Sequence, residues 1–401
     1  MSVLLADQRP ASSRADQESR WEVADVFRKG AAAYRRSHVL TPVQHKVVRA
    51  ILSCRTSELG GHVHYCERCD FERISYNSCR NRHCPKCQFL AQERWLEDRR
   101  RDLLPVSYFH LVFTLPHQLN PLVLWNKKIM FDTLFKVVSD TLKEFGRNNL
   151  GGKIGFTLIL HSWDQQLRPH FHLHCVIAGG ALAPDQSNWT ASSPEFLFPV
   201  RALSKVYRGK FVAAIGALLS RDDLELPEGL GHLHTSDGRA RFFRDLCQRD
   251  WIVYAKKPFA GPGQVLRYLS RYTHRIAISN RRIEDVTDTD VTFGYRDRKR
   301  DQKRSTTVTH DEFIRRFLLH VVDKGFVRIR HYGFLASATK ARDLATCRAL
   351  LGAKITEPEP ARTVEELFFH ATGIDLHACP RCGAELLTRD LPREPRSIDS
   401  S

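Results

Sequence analysis

The sequence has no apolar run of the roughly 18–20 residues that a membrane-spanning helix requires. Residues 1–20 are polar, contain acids, and provide no apolar core of the kind that defines a secretory signal peptide. Internal repeats and coiled-coil heptads are also missing, which argues against solenoids and long coiled coils. We therefore expect a cytoplasmic protein without a membrane span.

Acidic residues are scarce relative to basic ones. The 401 residues include 45 Asp and Glu against 62 Lys and Arg, which gives a formal net charge of +17 and a pI near 9.6. Such a balance favours a polyanionic partner, most simply nucleic acid, with an anionic membrane surface as the alternative. A chain of this length can hold two or three domains.

Cysteines are clustered, with six of the eleven between residues 54 and 87. In the cytoplasm thiols stay reduced, so clustered cysteines indicate a metal site rather than disulfides. Two Cys-x2-Cys doublets separated by 14 residues predict a tetrahedral zinc site, whose ligands would be Cys66, Cys69, Cys84 and Cys87. The neighbouring ligand types form a candidate second zinc site made of Cys54, His62, Cys79 and His83.

A third doublet, Cys379 and Cys382, lies near the C-terminus and resembles half of a zinc ribbon. No further doublet follows it. One interpretation completes the site with His370 or His377, and the other leaves it incomplete or vestigial.

Residues 170–174 read His-Phe-His-Leu-His within a β-rich run. Side chains alternate between the faces of a strand, so His172 and His174 point the same way and Leu173 points into the core. Two adjacent imidazoles can hold a divalent metal, although such a pair is also common as a satisfied, partly buried pair.

Tyr268 and Tyr272 lie four residues apart on a predicted helix from Gln264 to about His274, which places them on one face. Core packing is the alternative role for such a pair. A metal beside two phenols suits transfer of a DNA phosphodiester to tyrosine and back. Basic residues with predicted DNA contacts flank these features, namely Arg80 and Arg82 between the cysteine doublets and Arg267, Arg271 and Arg275 on the tyrosine helix.

Strands and helices are interspersed along the chain, which favours an α+β fold with an antiparallel sheet and flanking helices, preceded by a small helical and zinc-binding domain. We expect disorder over 1–20, a DNA-binding domain over 21–104, a catalytic domain over 105–355, and a C-terminal tail over 356–401. The basic run from Arg296 to Arg304 is predicted to be either a solvated hairpin tip or a grip on a DNA backbone.

Six segments together resemble the rolling-circle transposases of the insertion sequence 91 family, in the family's order: Leu59–His62, Tyr76–Gln88, Tyr108–Pro116, His161–Trp163, His170–Gly180 and Tyr268–Ser279. The resemblance implies a two-tyrosine HUH (His-hydrophobic-His) endonuclease behind a zinc-binding domain. His172 and His174 match the metal pair, Tyr268 and Tyr272 match the nucleophiles, and the four cysteines of the first two doublets match the zinc knuckles. Phe171 stands where the family commonly has proline, and Asp164 stands where it often has glycine.

The expected activity is a DNA transposase that nicks and joins single-stranded DNA through a 5′-phosphotyrosine. Mg²⁺ or Mn²⁺ would be held by His172, His174 and a third ligand, for which Gln264 is favoured over His170 because an amide oxygen suits Mg²⁺ better than a third imidazole. Expected partners are element ends, target DNA and the host replication machinery, in a bacterial, nucleoid-associated protein whose oligomeric state stays open. The alternatives are a plasmid replication initiator or relaxase, and a non-catalytic zinc-dependent DNA-binding protein.

Overall fold

The computed structural model describes residues 21–256, 277–297, 300–353 and 362–394. Within these ranges the helices are α1 (Val23–Ser37), α2 (Pro42–Ser53), α3 (Gln88–Arg101), α4 (Asn120–Trp125), α5 (Lys127–Leu150), α6 (Val200–Ser220), α7 (Ser236–Cys247), α8 (His310–Leu319), α9 (Lys340–Leu350) and α10 (Val364–Thr372). The strands are β1 (Gly61–Tyr65), β2 (Glu72–Tyr76), β3 (Tyr108–Thr114), β4 (Lys153–Trp163), β5 (Pro169–Leu182), β6 (Trp189–Ala191), β7 (Val253–Lys256), β8 (Ile283–Val286), β9 (Asp290–Asp297), β10 (Gln302–Thr309), β11 (Ile329–Gly333) and β12 (Leu387–Leu391). None of the helices in the described ranges is long and apolar enough to cross a membrane.

The central sheet has the strand order β11-β4-β5-β3-β7, and β6 pairs with part of β5. Every pairing in it is antiparallel. The long strands β4 and β5 form its middle, joined by the short connection 164–168. This arrangement, with helices around the sheet, confirms the expected α+β class.

One face of the central sheet packs on α5 and α6. Phe113, Leu160 and Leu173, from three neighbouring strands, are completely or almost completely buried in the largest apolar cluster, together with Phe135 of α5 and Tyr207 of α6. Because consecutive side chains of a strand alternate, this apolar face fixes the opposite orientation for the residues between them. The histidines of β5 are such residues.

The opposite face of the sheet is covered toward one end by a smaller apolar cluster. Ile159 and Val176 lie in this cluster with Leu344 and Cys347 of α9, and Trp95 of α3 packs against it. The histidines lie beyond this cover, on the same face and toward the connection between β4 and β5.

The N-terminal helices α1 and α2 share a core with α8 and with a second sheet of order β10-β9-β8. Phe27 of α1 and Phe317 of α8 meet edge to face with ring centroids 5.3 Å apart. Thr41 caps α2 and exchanges hydrogen bonds with Gln44 in a capping box, and Pro42 stands at the first helical position, which suits proline.

Some expectations need correction. The expected C-terminal tail contains a strand, because β12 pairs with β1. The predicted disordered segment 1–20 and the predicted tyrosine helix 264–274 lie outside the described residues. The proposed domain boundaries stay predictions.

Candidate functional site

Three histidines meet on the face of the central sheet opposite α5 and α6. His172 and His174 point the same way from β5, as predicted, and their Nε2 atoms are 3.2 Å apart. His161 of β4 is the direct cross-strand partner of His172. One ring nitrogen from each of the three lies within 4.8 Å of the others, and all three side chains are buried.

Hydrogen bonds orient two of these rings. The Nδ1 atom of His172 is 3.1 Å from the carbonyl oxygen of His170, and because a carbonyl only accepts, Nδ1–H donates. The ring lone pair of His172 is then on Nε2, the atom that lies 3.2 Å from Nε2 of His174. Nδ1 of His174 is 2.8 Å from Nε2 of the buried His110 on β3, so a proton on that Nδ1 likewise leaves Nε2 of His174 as the ligand atom.

His161 was not singled out as a ligand by sequence reasoning, although its motif was. His161 could have been identified only from the register of β4 against β5, which cannot be read from the sequence. His170 points to the same side as the pair but does not belong to the group, and its carbonyl is used to orient His172. The favoured third ligand, Gln264, lies outside the described residues.

The donor set of this group is three imidazoles, with no carboxylate from the described residues. Imidazole suits Mn²⁺ less strongly than later transition metals but better than Mg²⁺, which prefers oxygen ligands and keeps its waters. The preformed cluster of convergent ring nitrogens therefore fits a divalent transition metal, and it fits Mg²⁺ less well.

A tryptophan and a partly buried arginine lie beside the three histidines. Trp163 stacks on His161 with centroids 4.8 Å apart, and the guanidinium of Arg328 lies 5.6 Å from the centre of the Trp163 ring. Burial, aided by the nearby Arg82, lowers the pKa of Arg328 to about 10, so this side chain stays positive at neutral pH. Burial also lowers the pKa of His320, beside Ser162, to about 4.

Both departures from the family pattern have a structural role. Phe171 points into the core and packs against Phe131, with centroids 5.6 Å apart. Asp164 closes the connection between β4 and β5 by accepting from the backbone N–H groups of Gln166 and Arg168 at 2.8 and 2.9 Å. Neither side chain belongs to the histidine cluster.

The cysteine doublets do not combine as predicted. In the described part of the chain, Cys84 and Cys87 join Cys54 and Cys79, with Sγ of Cys87 3.4 Å from Cys54 and 3.5 Å from Cys79. The other group unites Cys66 and Cys69 with Cys379 and Cys382. The predicted set of Cys66, Cys69, Cys84 and Cys87 is therefore corrected. The first doublet lies between β1 and β2, and the C-terminal segment returns to it through the pairing of β12 with β1.

The histidines proposed for a second zinc site serve other contacts. Nδ1 of His62 is 3.1 Å from a carboxylate oxygen of Asp390 on β12. His83 is buried, and its Nε2 accepts from the backbone N–H of Val322 at 3.3 Å. Cys54 and Cys79 of the candidate second site lie in one cysteine group, which contains neither His62 nor His83.

The basic residues with predicted DNA contacts divide into three groups. Arg80 is exposed, whereas the guanidinium of Arg82 donates to the carbonyls of Phe326 and Asp323, both at 2.6 Å, and so joins two loops. The described ends of the basic run lie in the antiparallel pair β9 and β10, and Arg296 pairs with Asp301. The remaining arginines and both tyrosines lie outside the described residues, namely Arg267, Arg271, Arg275, Tyr268 and Tyr272.

Comparison with known proteins shows which family the chain belongs to. Residues 26–115 match a family described as "Transposase zinc-binding domain", and residues 155–342 match one described as "Putative transposase". The chain is 45% identical to "Putative transposase y4qJ" of Sinorhizobium fredii over 368 residues, which is 90% of this chain and 92% of that protein. It is 26% identical to the transposase for insertion sequence element IS801 of Pseudomonas savastanoi pv. phaseolicola, over 87% of this chain and 84% of that one.

Among solved structures, the conjugative relaxase TrwC in complex with oriT DNA aligns with 62% of this chain and 72% of its own, at 14% identity and a TM-score of 0.22. A superposition at that score supports no conclusion about this chain. The sequence matches define a DNA transposase with a zinc-binding domain. The chain belongs to the insertion sequence 91 family of transposases.

Proposed function

We propose that this transposase nicks and joins single-stranded DNA by tyrosine transesterification and mobilises its insertion sequence by rolling-circle transposition. The observation that supports this chemistry is the buried cluster of His161, His172 and His174 on one face of the central sheet. A protein that only binds DNA has no need for three ring nitrogens that converge in this way.

The three histidines are the proposed ligands of a divalent cation, which would polarise the scissile phosphate. His110 and the carbonyl of His170 orient the rings, so that little rearrangement is needed to present Nε2 of His172 and His174. Trp163, which is partly buried, stacks on the buried His161 and supports the third ring from the side.

Tyr268 and Tyr272 are the proposed nucleophiles. The phenol oxygen of one tyrosine forms a bond to the phosphorus and the bond to the 3′ oxygen breaks, which leaves a 5′-phosphotyrosine and a free 3′-OH. The phenol proton passes to solvent and the departing 3′ oxygen takes one up. Arg267, Arg271 and Arg275 would lower the pKa of a neighbouring phenol from its usual value of about 10.

The second tyrosine explains how one protein handles two DNA ends. It would cleave at the far end or at the target, after which a free 3′-OH attacks the phosphotyrosine and restores a phosphodiester. Bond energy is conserved in both directions, so no nucleotide cofactor is required. The 3′-OH left by the first cleavage is a primer for the host replication machinery, which we propose as a partner together with single-stranded element ends and target DNA.

The test is formation of a covalent protein–DNA adduct. Purified protein, Mn²⁺ and labelled single-stranded DNA carrying an element end are separated on a denaturing gel, beside Tyr268→Phe, Tyr272→Phe and the double variant. We expect a shifted band that the double variant loses. The exposed Tyr254→Phe is a matched control that should keep it. No adduct from a folded, DNA-binding wild-type protein would contradict the proposal.

A structural zinc ion is the proposed occupant of the group of Cys54, Cys79, Cys84 and Cys87. The sulfur separations of 3.4 and 3.5 Å exceed a disulfide bond of about 2.05 Å and approach the edge of about 3.8 Å of a tetrahedron with Zn–S bonds of about 2.3 Å. Cys54 directly follows α2 and Cys87 directly precedes α3. The ion would therefore fix the orientation of these two helices relative to each other.

A further inference from the structure

The C-terminal doublet has a partner 310 residues away. Sγ of Cys66 is 3.5 Å from Sγ of Cys382, and Sγ of Cys69 is 3.6 Å from Sγ of Cys379. All four sulfur atoms lie within 4.8 Å of one another. We propose that these cysteines form a second structural zinc site, which attaches the C-terminal segment to the zinc-binding region.

The two doublets have the same backbone geometry. The N–H of Cys66 donates to the carbonyl of Phe71 at 2.9 Å, and the N–H of Cys379 donates to the carbonyl of Ala384 at 2.7 Å, five residues on in both cases. Returning bonds run from the N–H of the fifth residue of each turn, Asp70 and Gly383, to the carbonyl of the first cysteine, at 3.0 and 2.9 Å.

The fifth residue of each turn is left-handed, with φ of 53° at Asp70 and 72° at Gly383. Glycine and aspartate are among the residues that adopt this conformation most readily. Two independent segments thus present two thiols each from the same turn. Four thiols that converge from a pair of matching turns are the arrangement of a closed tetrahedral zinc site.

The distances and the surroundings also favour a metal over two disulfides. Separations of 3.5 and 3.6 Å are too long for S–S bonds of about 2.05 Å and close to the tetrahedral edge of about 3.8 Å for Zn–S bonds of about 2.3 Å. The apolar residues that pack with these cysteines are few, namely Phe71, Ala384 and Leu386. So little apolar surface cannot hold this region together without a metal.

Strand pairing and side-chain contacts near the doublets also join the C-terminal segment to β1 and β2. β12 pairs with β1 over five residues, which makes the C-terminal strand an edge of the sheet β12-β1-β2. Arg381, inside the second doublet, donates to the carbonyl of Cys69 at 3.1 Å, and Arg389 of β12 reaches Glu72 of β2 at 2.9 Å. The segment that sequence analysis treated as a tail therefore completes the zinc-binding region.

A zinc ion bound by both doublets would close a long loop of the chain. The residues matched to the transposase family, 155–342, lie between the two doublets in sequence. Zinc at this site would therefore fasten both ends of the chain segment that contains the histidine cluster. Loss of the ion would release the C-terminal segment while the group of Cys54, Cys79, Cys84 and Cys87 keeps its own ion.

The test counts zinc in the full-length protein, in a His172→Ala/His174→Ala background so that the imidazole cluster contributes none. Plasma mass spectrometry on reduced, purified protein is expected to give two zinc ions per chain. Cys379→Ser/Cys382→Ser, Cys66→Ser/Cys69→Ser and the fourfold variant should each give one, because both doublets serve one ion. Cys247→Ser, an exposed cysteine outside both groups, should keep two.

A conservative variant guards against simple misfolding. Cys382→His offers an imidazole to a Cys3His site and should retain the second ion. Limited trypsin digestion should release the segment after residue 362 faster from Cys379→Ser/Cys382→Ser than from Cys382→His. One zinc per chain in the unmutated cysteine background, two in Cys379→Ser/Cys382→Ser, or loss of four free thiols to disulfides in the native protein would overturn the proposal.

Discussion

Nε2 of His110 lies 2.8 Å from Nδ1 of His174, and both rings are buried on the same face of the central sheet. His110 does not belong to the group of convergent ring nitrogens and lies behind His174, on the neighbouring strand β3. A ring that receives the second N–H of a metal-binding histidine fixes its tautomer and its orientation. We therefore expect His110 to position His174 for the proposed metal.

Replacing His110 should weaken metal binding more than it weakens the fold. We expect His110→Ala to raise the Mn²⁺ concentration needed for half-maximal adduct formation by about 10–100-fold. His110→Gln, which keeps an acceptor, should recover part of the loss, and saturating Mn²⁺ should restore most of the rate. The exposed His45→Ala is the control. A rate loss that no Mn²⁺ concentration relieves would mean a structural role only.

The third ligand can be assigned by comparing His161 with its rival on β5. His161→Ala removes a convergent ring nitrogen and should lower Mn²⁺ affinity by at least about 100-fold, which exceeds the usual cost of losing an outer partner. His170→Ala keeps its backbone carbonyl and should change the affinity little. The measurement is Mn²⁺ binding by electron paramagnetic resonance on DNA-free protein. If His161→Ala binds normally and Gln264→Ala does not, the sequence-based choice of Gln264 is the correct one.

Metal preference should follow from the three imidazoles. At equal concentrations we expect faster adduct formation with Mn²⁺ than with Mg²⁺, because Mg²⁺ prefers oxygen ligands. His161→Asp replaces one nitrogen with a carboxylate and should shift the ratio of the two rates toward Mg²⁺. The measurement is the initial rate with each metal for both proteins. An unchanged ratio would show that His161 does not contact the metal.

Local patterns predicted those parts of the site that lie within one strand or one short motif. The common face of His172 and His174 follows from strand alternation alone. Contacts between distant segments were not predictable in this way. His161 meets His172 through strand register, and β12 returns to β1 across most of the chain.

The cysteines show the same limit more sharply. Spacing identified the doublets as candidate metal ligands, but nearness in sequence paired the wrong ones. Cys66 and Cys69 lie against Cys379 and Cys382, at the end of the sheet where β1 ends and β12 begins. The interpretation of Arg82 as a DNA contact was likewise based only on its neighbours in sequence. Its carbonyl partners, Phe326 and Asp323, come from a loop more than two hundred residues later.

Stability should fall in mild acid through His320. This side chain is 2% exposed; its Nε2–H donates to the carbonyl of Leu167 at 2.9 Å, and its Nδ1 accepts from the hydroxyl of Ser162 at 3.2 Å. Burial lowers its pKa to about 4, against about 6.5 in an unfolded chain. Between these values the unfolded chain binds the proton first, so the free energy of unfolding decreases as the pH falls from about 6.5 to about 4.

The contribution of His320 at pH 5 is a loss of about 2 kcal/mol relative to pH 7. His320→Gln cannot titrate, so although less stable at pH 7 it should lose about 2 kcal/mol less than the wild type between pH 7 and pH 5. Urea unfolding at pH 5, 6 and 7 measures the two slopes, and the exposed His234→Gln should behave like the wild type. His331, whose pKa burial also lowers to about 4, remains in both proteins and cancels from the comparison. Equal slopes for the wild type and His320→Gln would show that His320 is not the titrating group.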